Sequence, residues 1–146
     1  SIVESIVLLE SVINDEMITL KTNFEDMKVL GITNELTQVM INLINNSKDA
    51  FIQNSILLRE ISVTTKKDGV FAIIEVQDNA GGIPKENLEK IFEPYFTTKH
   101  KSRGTGLGLF MSKMICEQGL NGTLDVKSKK KTTTFSIKIP LDKNEK

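Results

Sequence analysis

The stretch from Glu35 to about Gln53 limits this chain most. Leu36, Val39, Met40, Leu43, Ile44, Ala50 and Phe51 recur there at the spacing of one stripe along an α-helix. Such a stripe is stable only when laid on a complementary apolar surface, because most helical stability in proteins comes from packing. Strand-like segments elsewhere provide that surface: Ile61–Thr65, Val70–Val76, Leu124–Val126 and Thr133–Ile139. In the last of these, Phe135, Ile137 and Ile139 alternate inward. Lys66-Lys67-Asp68-Gly69 joins the first pair, with Asp-Gly as the turn signal. The expected fold is a two-layer α/β sandwich, a mixed sheet covered on one face by helices.

The remaining segments fit that plan. Ile2, Val3, Ile6, Val7, Leu9, Val12 and Ile13 suggest an amphipathic helix over 1–15. Met17 to Leu30 reads as two short strands around Asn23-Phe24-Glu25-Asp26. Gly31 to Asn34 is a turn, with Thr33 or Asn34 as N-cap of the long helix. A short helix follows Pro84 over Lys85–Ile91, residues 92–106 form a loop, and a last helix runs from Leu107 to Gln118 before Gly119–Gly122. With 146 residues, no repeat and no linker, 1–146 is expected to be one domain. Nineteen Lys and Arg balance 19 Asp and Glu, which removes the electrostatic footprint of a nucleic-acid binder. One Cys rules out a disulfide framework, and the single His makes a structural zinc site unexpected. No apolar run approaches the ~20 residues that span a bilayer, so a cytoplasmic location is expected.

Three features carry chemistry. Gln38, Asn42, Asn46, Asp49 and Gln53 line the polar side of the long helix. Such stripes are usually solvated, but a solvated face favours Glu, Lys and Arg, whereas Asn is a mediocre helix former. An Asn pair one turn apart, with Asn45 beside it, suits a ligand site: amide oxygens bind Mg²⁺ without adding negative charge near phosphates. Asp78-Asn79-Ala80-Gly81-Gly82-Ile83 follows a strand directly. It is either a plain tight turn or a carboxylate at a crevice, with glycines that let the backbone approach a flat ring. Gly104-Thr105-Gly106-Leu107-Gly108-Leu109 runs into a helix, where free N–H groups form an anion site. Lys99, Lys101 and Arg103 precede it, cations suited to a polyphosphate.

In their order these features resemble one family. Asn-Leu-Ile-Asn-Asn-Ser-Lys-Asp-Ala, from Asn42, resembles the N box of the ATP-binding domain of sensor histidine kinases. Asp78 to Ile83 resembles its G1 box, Ile91-Phe-Glu-Pro-Tyr-Phe-Thr-Thr-Lys99 its F box, and Gly104 to Leu109 its G2 box. The resemblance covers nearly the whole chain and implies the Bergerat fold of the GHKL superfamily, shared with type II topoisomerases, mismatch-repair ATPases and ATP-driven chaperones. By resemblance Asn46 coordinates the Mg²⁺ that bridges the ATP phosphates. Asn42 faces the same cavity, and Asp49 lies near the nucleotide. Asp78 receives the adenine amino group, while Gly82 and Ile83 back the base. Phe92 to Thr105 forms a lid from which Lys99 and Arg103 reach the phosphates. Gly104, Thr105, Gly106, Leu107, Gly108 and Leu109 belong to the phosphate-binding turn, and Thr133 helps hold adenine through water. Catalytic roles fall to Asn46 and Lys99. Two departures are visible: Ala80 stands where the family has the first glycine of its G1 box, and Lys129-Lys130-Lys131 replaces glycines before the last strand. The lysine run reads as a solvated hairpin, and Ala80 would cost about 1 kcal/mol if its position required positive φ.

Hydrolysing members of the superfamily place a Glu one turn before the metal-binding Asn to activate water. Here Asn42 holds that position and cannot act as a base. The resemblance therefore implies phosphoryl transfer from Mg-ATP to a histidine on a separate dimerisation domain, for relay to a response-regulator receiver domain. The alternative it leaves is a free-standing module, an anti-sigma-type serine kinase or an ATP-sensing switch. His100 is the only His; it lies in the expected lid rather than beside an acidic residue on a long helix, so the acceptor is expected on another domain. The domain itself is expected to be monomeric, without membrane contact, although the parent protein could be anchored. Cys116 falls on the apolar side of the last helix, and Phe92, Tyr95 and Phe96 either anchor the lid or pack the loop.

Overall fold

The apolar rows of the strands and the stripe of the long helix meet as expected, in a computed structural model that describes residues 17–23, 33–96 and 106–142. Five strands form one sheet in the order β1-β2-β3-β5-β4. They are β1 (Ile18–Asn23), β2 (Arg59–Asp68), β3 (Phe71–Asp78), β4 (Thr123–Lys129) and β5 (Thr132–Pro140). β1 runs parallel to β2, and every other pairing is antiparallel, so the sheet is mixed. Helices α1 (Thr33–Gln53), α2 (Lys85–Leu88) and α3 (Gly108–Met114) complete the described elements. α3 runs directly into one π-helical turn, Ile115–Gly119.

Alternation in the strands sets the core. Ile61 and Val63 of β2, Ala72, Ile74 and Val76 of β3, and Phe135, Ile137 and Ile139 of β5 are buried. They face Leu36, Val39, Met40, Leu43, Ile44 and Phe51 of α1 within one cluster, which Cys116 and Leu120 join from the end of α3. Two apolar rows end in a polar residue that keeps the same phase: Asp78 closes the row of β3, and Thr133 opens that of β5. The register sets these two opposite each other. The helical stripe has a counterpart, Ser47, which is 1% exposed.

Several boundaries differ from expectation. The β2–β3 turn is not Lys66–Gly69; the strands pair through Asp68↔Phe71, which leaves a two-residue loop, Gly69-Val70. Gly69 takes φ +64, as the first residue of a tight hairpin loop requires, and Lys66 pairs with Glu75 across the strands at 3.5 Å. The helix after Pro84 is shorter than expected, Lys85–Leu88. α1 is described from Thr33 on, so the cap expected at Thr33 or Asn34 lies at the edge of the described residues. The helix expected over 1–15, the second strand expected before Leu30 and most of the lid, 97–105, also lie outside them. No helix among the described residues is long and apolar enough to cross a membrane.

Candidate functional site

Part of the polar face of α1 lines a cavity, while Gln38, Asn45 and Gln53 stay exposed. Asn42, Asn45, Asn46, Ala50 and Gln53 form one wall of a cavity of about 640 Å³, a size usual for small-molecule sites. Asn54, just beyond the helix, extends that wall. Gly81, Gly82, Ile83 and Pro84 form the second wall, with Asn87 and Ile91 below them. Phe96, Gly106, Gly108 and Leu109 close one side, and Lys130 of the β4–β5 hairpin closes the other. Residues far apart in the chain thus converge on a single space.

Each wall is held by identifiable bonds. Asn42 is bonded at both ends of its amide: its Oδ1 accepts from Gln38 Nε2 at 2.9 Å, and its Nδ2 donates to Ser112 Oγ at 3.0 Å. Ser112 in turn donates to the Gly108 carbonyl at 2.8 Å, so α1 and the start of α3 are tied through one relay. Asn46, one turn on, lines the cavity with no side-chain partner among the described residues. Among the described residues nothing competes with a ligand or a cation for its amide oxygen. No group of three His, Cys, Asp or Glu among the described residues could hold a metal ion. A divalent ion here would rely on the Asn46 amide and on ligand oxygens, which suits Mg²⁺ beside phosphates.

Asp78 lies behind the second wall, 5% exposed. Its Oδ2 accepts from Ser47 Oγ at 2.6 Å and its Oδ1 from the Ala80 N–H at 3.0 Å. Burial pushes the carboxyl above the ordinary aspartate range, and the bonds from Ser47 and Ala80 pull it partway back. A carboxylate has about four acceptor positions, so two bonds leave capacity for another donor. The adjoining loop is anchored on both sides. Asn54 Nδ2 donates to the Ala80 carbonyl at 2.6 Å, and Asn79 accepts from the Glu60 N–H and donates to the Leu58 carbonyl. Ala80 itself is buried with ordinary negative φ, so the conditional cost attached to it does not arise; Gly81 (φ +111) and Gly82 (φ +78) carry the unusual backbone.

Among the expected site residues, Asn42, Asn46, Gly82, Ile83, Gly106, Gly108 and Leu109 meet at the cavity. Asp49 and Leu107 do not line it, and Asp78 and Thr133 lie buried side by side in register beneath it. Lys99, His100, Arg103, Gly104 and Thr105 lie outside the described residues. The lysine run is not only a solvated hairpin: Lys130 lines the cavity, and the Lys131 carbonyl accepts from the Gly81 N–H at 3.1 Å. The aromatic residues divide their roles. Phe92 packs edge-on to Phe135 under Lys113, Phe96 lines the cavity, and Tyr95 is exposed while its N–H donates to the Gly106 carbonyl. Sequence reasoning passed over Ser47, Asn54, Ser112 and Ser128. Ser47 alone left a signal, a polar residue in phase with an apolar stripe.

Comparison with known proteins gives the family and the fold. Residues 31–143 match the family model described as histidine kinase-, DNA gyrase B-, and HSP90-like ATPase. The chain is 38% identical to the two-component sensor PprA of Pseudomonas aeruginosa, over 79% of this chain and 13% of that protein. It is 42% identical to the sensor histidine kinase ZraS of Escherichia coli K12, over 73% of this chain and 22% of that protein. Sporulation kinase B of Bacillus subtilis is 33% identical over 92% of this chain and 31% of its own length. The chain thus spans less than a third of the length of these relatives. The catalytic domain of histidine kinase ThkA superposes with a TM-score of 0.77 at 29% identity, covering 94% of this chain and 88% of that one. The mycobacterial sensor histidine kinase MprB superposes with a TM-score of 0.82 at 23% identity, covering 96% and 94%, and shares the fold.

Proposed function

The chain belongs to the histidine kinase-, DNA gyrase B-, and HSP90-like ATPase family, and from that premise we propose that it binds Mg-ATP in this cavity and transfers the γ-phosphoryl group to a histidine on a separate dimerisation domain. ATP binding comes with the family. One observation carries the rest: a single cavity joins the Asn46 amide, which has no side-chain partner among the described residues, the glycine-rich wall in front of Asp78 and the turn at Gly106–Leu109. Asn46 would hold Mg²⁺, which when bound neutralises phosphate charge. Asp78, with Thr133 opposite it, offers acceptor capacity to the adenine amino group. A guanine carbonyl at the same place would face a carboxylate, and that repulsion selects adenine. Lys99 and Arg103 are assigned to the phosphates, with Gly104, Thr105 and the backbone from Gly106 to Leu109. Asp49 contributes from the neighbouring helical face.

Asn42 decides between reaction classes. It is neutral and bonded on both sides, so no carboxylate stands one turn before Asn46 to activate water. The nucleophile must come from a partner. An imidazole nitrogen attacks the γ-phosphorus, the bond to the β–γ bridging oxygen breaks, ADP leaves, and the imidazole loses its proton. The domain's part is to position and desolvate the reacting groups. The relatives carry sensor-kinase names, and one ThkA structure is a complex with the response regulator protein TrrA. By the same chemistry, relay to a receiver-domain aspartate follows, and dependence on ATP places the domain in the cytoplasm.

The test incubates the domain with labelled ATP, Mg²⁺ and a histidine-bearing helical hairpin. The expected product is an acid-labile phosphohistidine, lost together with Mg-dependent ATP affinity in Asn46→Asp. ATP binding without transfer, or an acid-stable phosphoserine product, contradicts the proposal.

A further inference from the structure

The β4–β5 hairpin lies far in sequence from the loop that follows β3, yet two of its residues bond that loop and a third, Lys130, lies close against Gly82. Ser128 Oγ accepts from the Ile83 N–H at 2.7 Å and donates to the Thr132 carbonyl at 3.2 Å, so both functions of one hydroxyl are used across the hairpin. The Lys131 carbonyl accepts from the Gly81 N–H at 3.1 Å. A Cβ added at Gly82 would meet the Lys130 carbonyl oxygen and lie 3.1 Å from Ser128 Oγ. Gly81, Gly82 and Ile83 all line the cavity, whereas Ser128 does not. Besides lining the cavity directly at Lys130, the hairpin therefore acts on it through the loop.

We infer that Ser128 is a positioning residue for nucleotide binding, setting the height of the Gly81–Ile83 wall through the Ile83 N–H. This rests on the reading of the cavity as a nucleotide site. The remaining contacts do not substitute for the hydroxyl. The Gly81–Lys131 bond fixes only the start of the wall, and without Ser128 the Ile83 N–H loses its acceptor in a half-buried position. The lysine side chains are incidental to this role, because their carbonyls make the contacts.

The test measures dissociation constants of ATP and ADP, each with and without Mg²⁺, for the wild type, Ser128→Ala, Ser128→Thr and Asn46→Asp, together with unfolding midpoints. Ser128→Ala is expected to weaken ATP and ADP alike by about tenfold, with or without Mg²⁺, because the defect sits at the base-side wall. Ser128→Thr, which keeps a hydroxyl on a strand, is expected to restore affinity. The Asn46→Asp defect, in contrast, is expected to depend on Mg²⁺. Unchanged affinity in Ser128→Ala overturns the inference, as does a loss that Ser128→Thr shares or one confined to Mg²⁺-containing samples. If the wild type binds neither nucleotide, the cavity assignment itself has failed, a separate result.

Discussion

Replacing Gly82 with alanine tests the base-side wall most severely. Gly82 has φ +78, and an L-residue there costs about 1–2 kcal/mol. The new methyl also meets the Lys130 carbonyl, which is backbone and cannot swing aside. Relief requires the hairpin and loop to separate, breaking the Ile83–Ser128 and Gly81–Lys131 bonds at about 1 kcal/mol each. The expected loss of stability is about 3–4 kcal/mol, which a domain with ordinary stability survives. The unfolding midpoint falls on the order of 10 °C. A nucleotide must restore the wall to seat its base, and about 2 kcal/mol of that cost appears as roughly thirtyfold weaker Mg-ATP binding. Gly69→Ala is the control: it carries φ +64, but its Cβ meets nothing within 4 Å and it lies outside the cavity. It should lose only the backbone term and bind Mg-ATP as the wild type does. Calorimetric titration and thermal unfolding of both variants decide the matter. Equal destabilisation of the two, or wild-type affinity in Gly82→Ala, refutes the reasoning.

Asp78→Asn replaces an acceptor by an amide that can also donate, so competition titration should show ATP weakened at least tenfold and GTP not weakened. Acidity probes the same group. Because burial raises the Asp78 pKa, the folded protein holds this proton more tightly than the unfolded chain does; that contribution to stability is present below the ordinary aspartate value and is lost as pH rises through the raised one. Binding has the opposite sign, since the adenine amino group needs the carboxylate. The dissociation constant should rise as pH falls through the raised value, and Asp78→Asn should flatten that dependence. The Cys116 thiol, fully buried, is pushed up to about 12, chiefly by burial. Alkylation should therefore be slow in the native protein and track unfolding in denaturant; fast labelling of the native protein contradicts its place in the core.

What could be read from the chain depended on whether side chains or backbone carry the information. Both faces of α1 were legible, because Leu36 to Phe51 keep the helical period and the asparagines are out of character for a solvated surface. The β2–β3 turn was misplaced by two residues. Lys66 and Asp68 look like turn residues, but strand pairing and the Lys66–Glu75 contact extend the ladder to Asp68↔Phe71. Ser47 marked itself as polar in an apolar stripe, yet its meaning needs Asp78, brought beneath it only by the fold. The hairpin's role was hidden more thoroughly. Lys130 and Lys131 act through their carbonyls, which any residue would supply, so the lysines gave no hint of it. The π-helical turn at Ile115–Gly119 has the same apolar pattern as an α-helix and shows only in its hydrogen bonds.

The central claim is that one nucleotide spans Asn46 and the wall in front of Asp78. A crystal structure of the domain with Mg²⁺ and a non-hydrolysable ATP analogue tests it directly. The account predicts the ion at ~2.1 Å from the Asn46 amide oxygen and the adenine amino group at ~2.9 Å from an Asp78 oxygen. A nucleotide bound elsewhere, or an adenine turned away from Asp78, would contradict it.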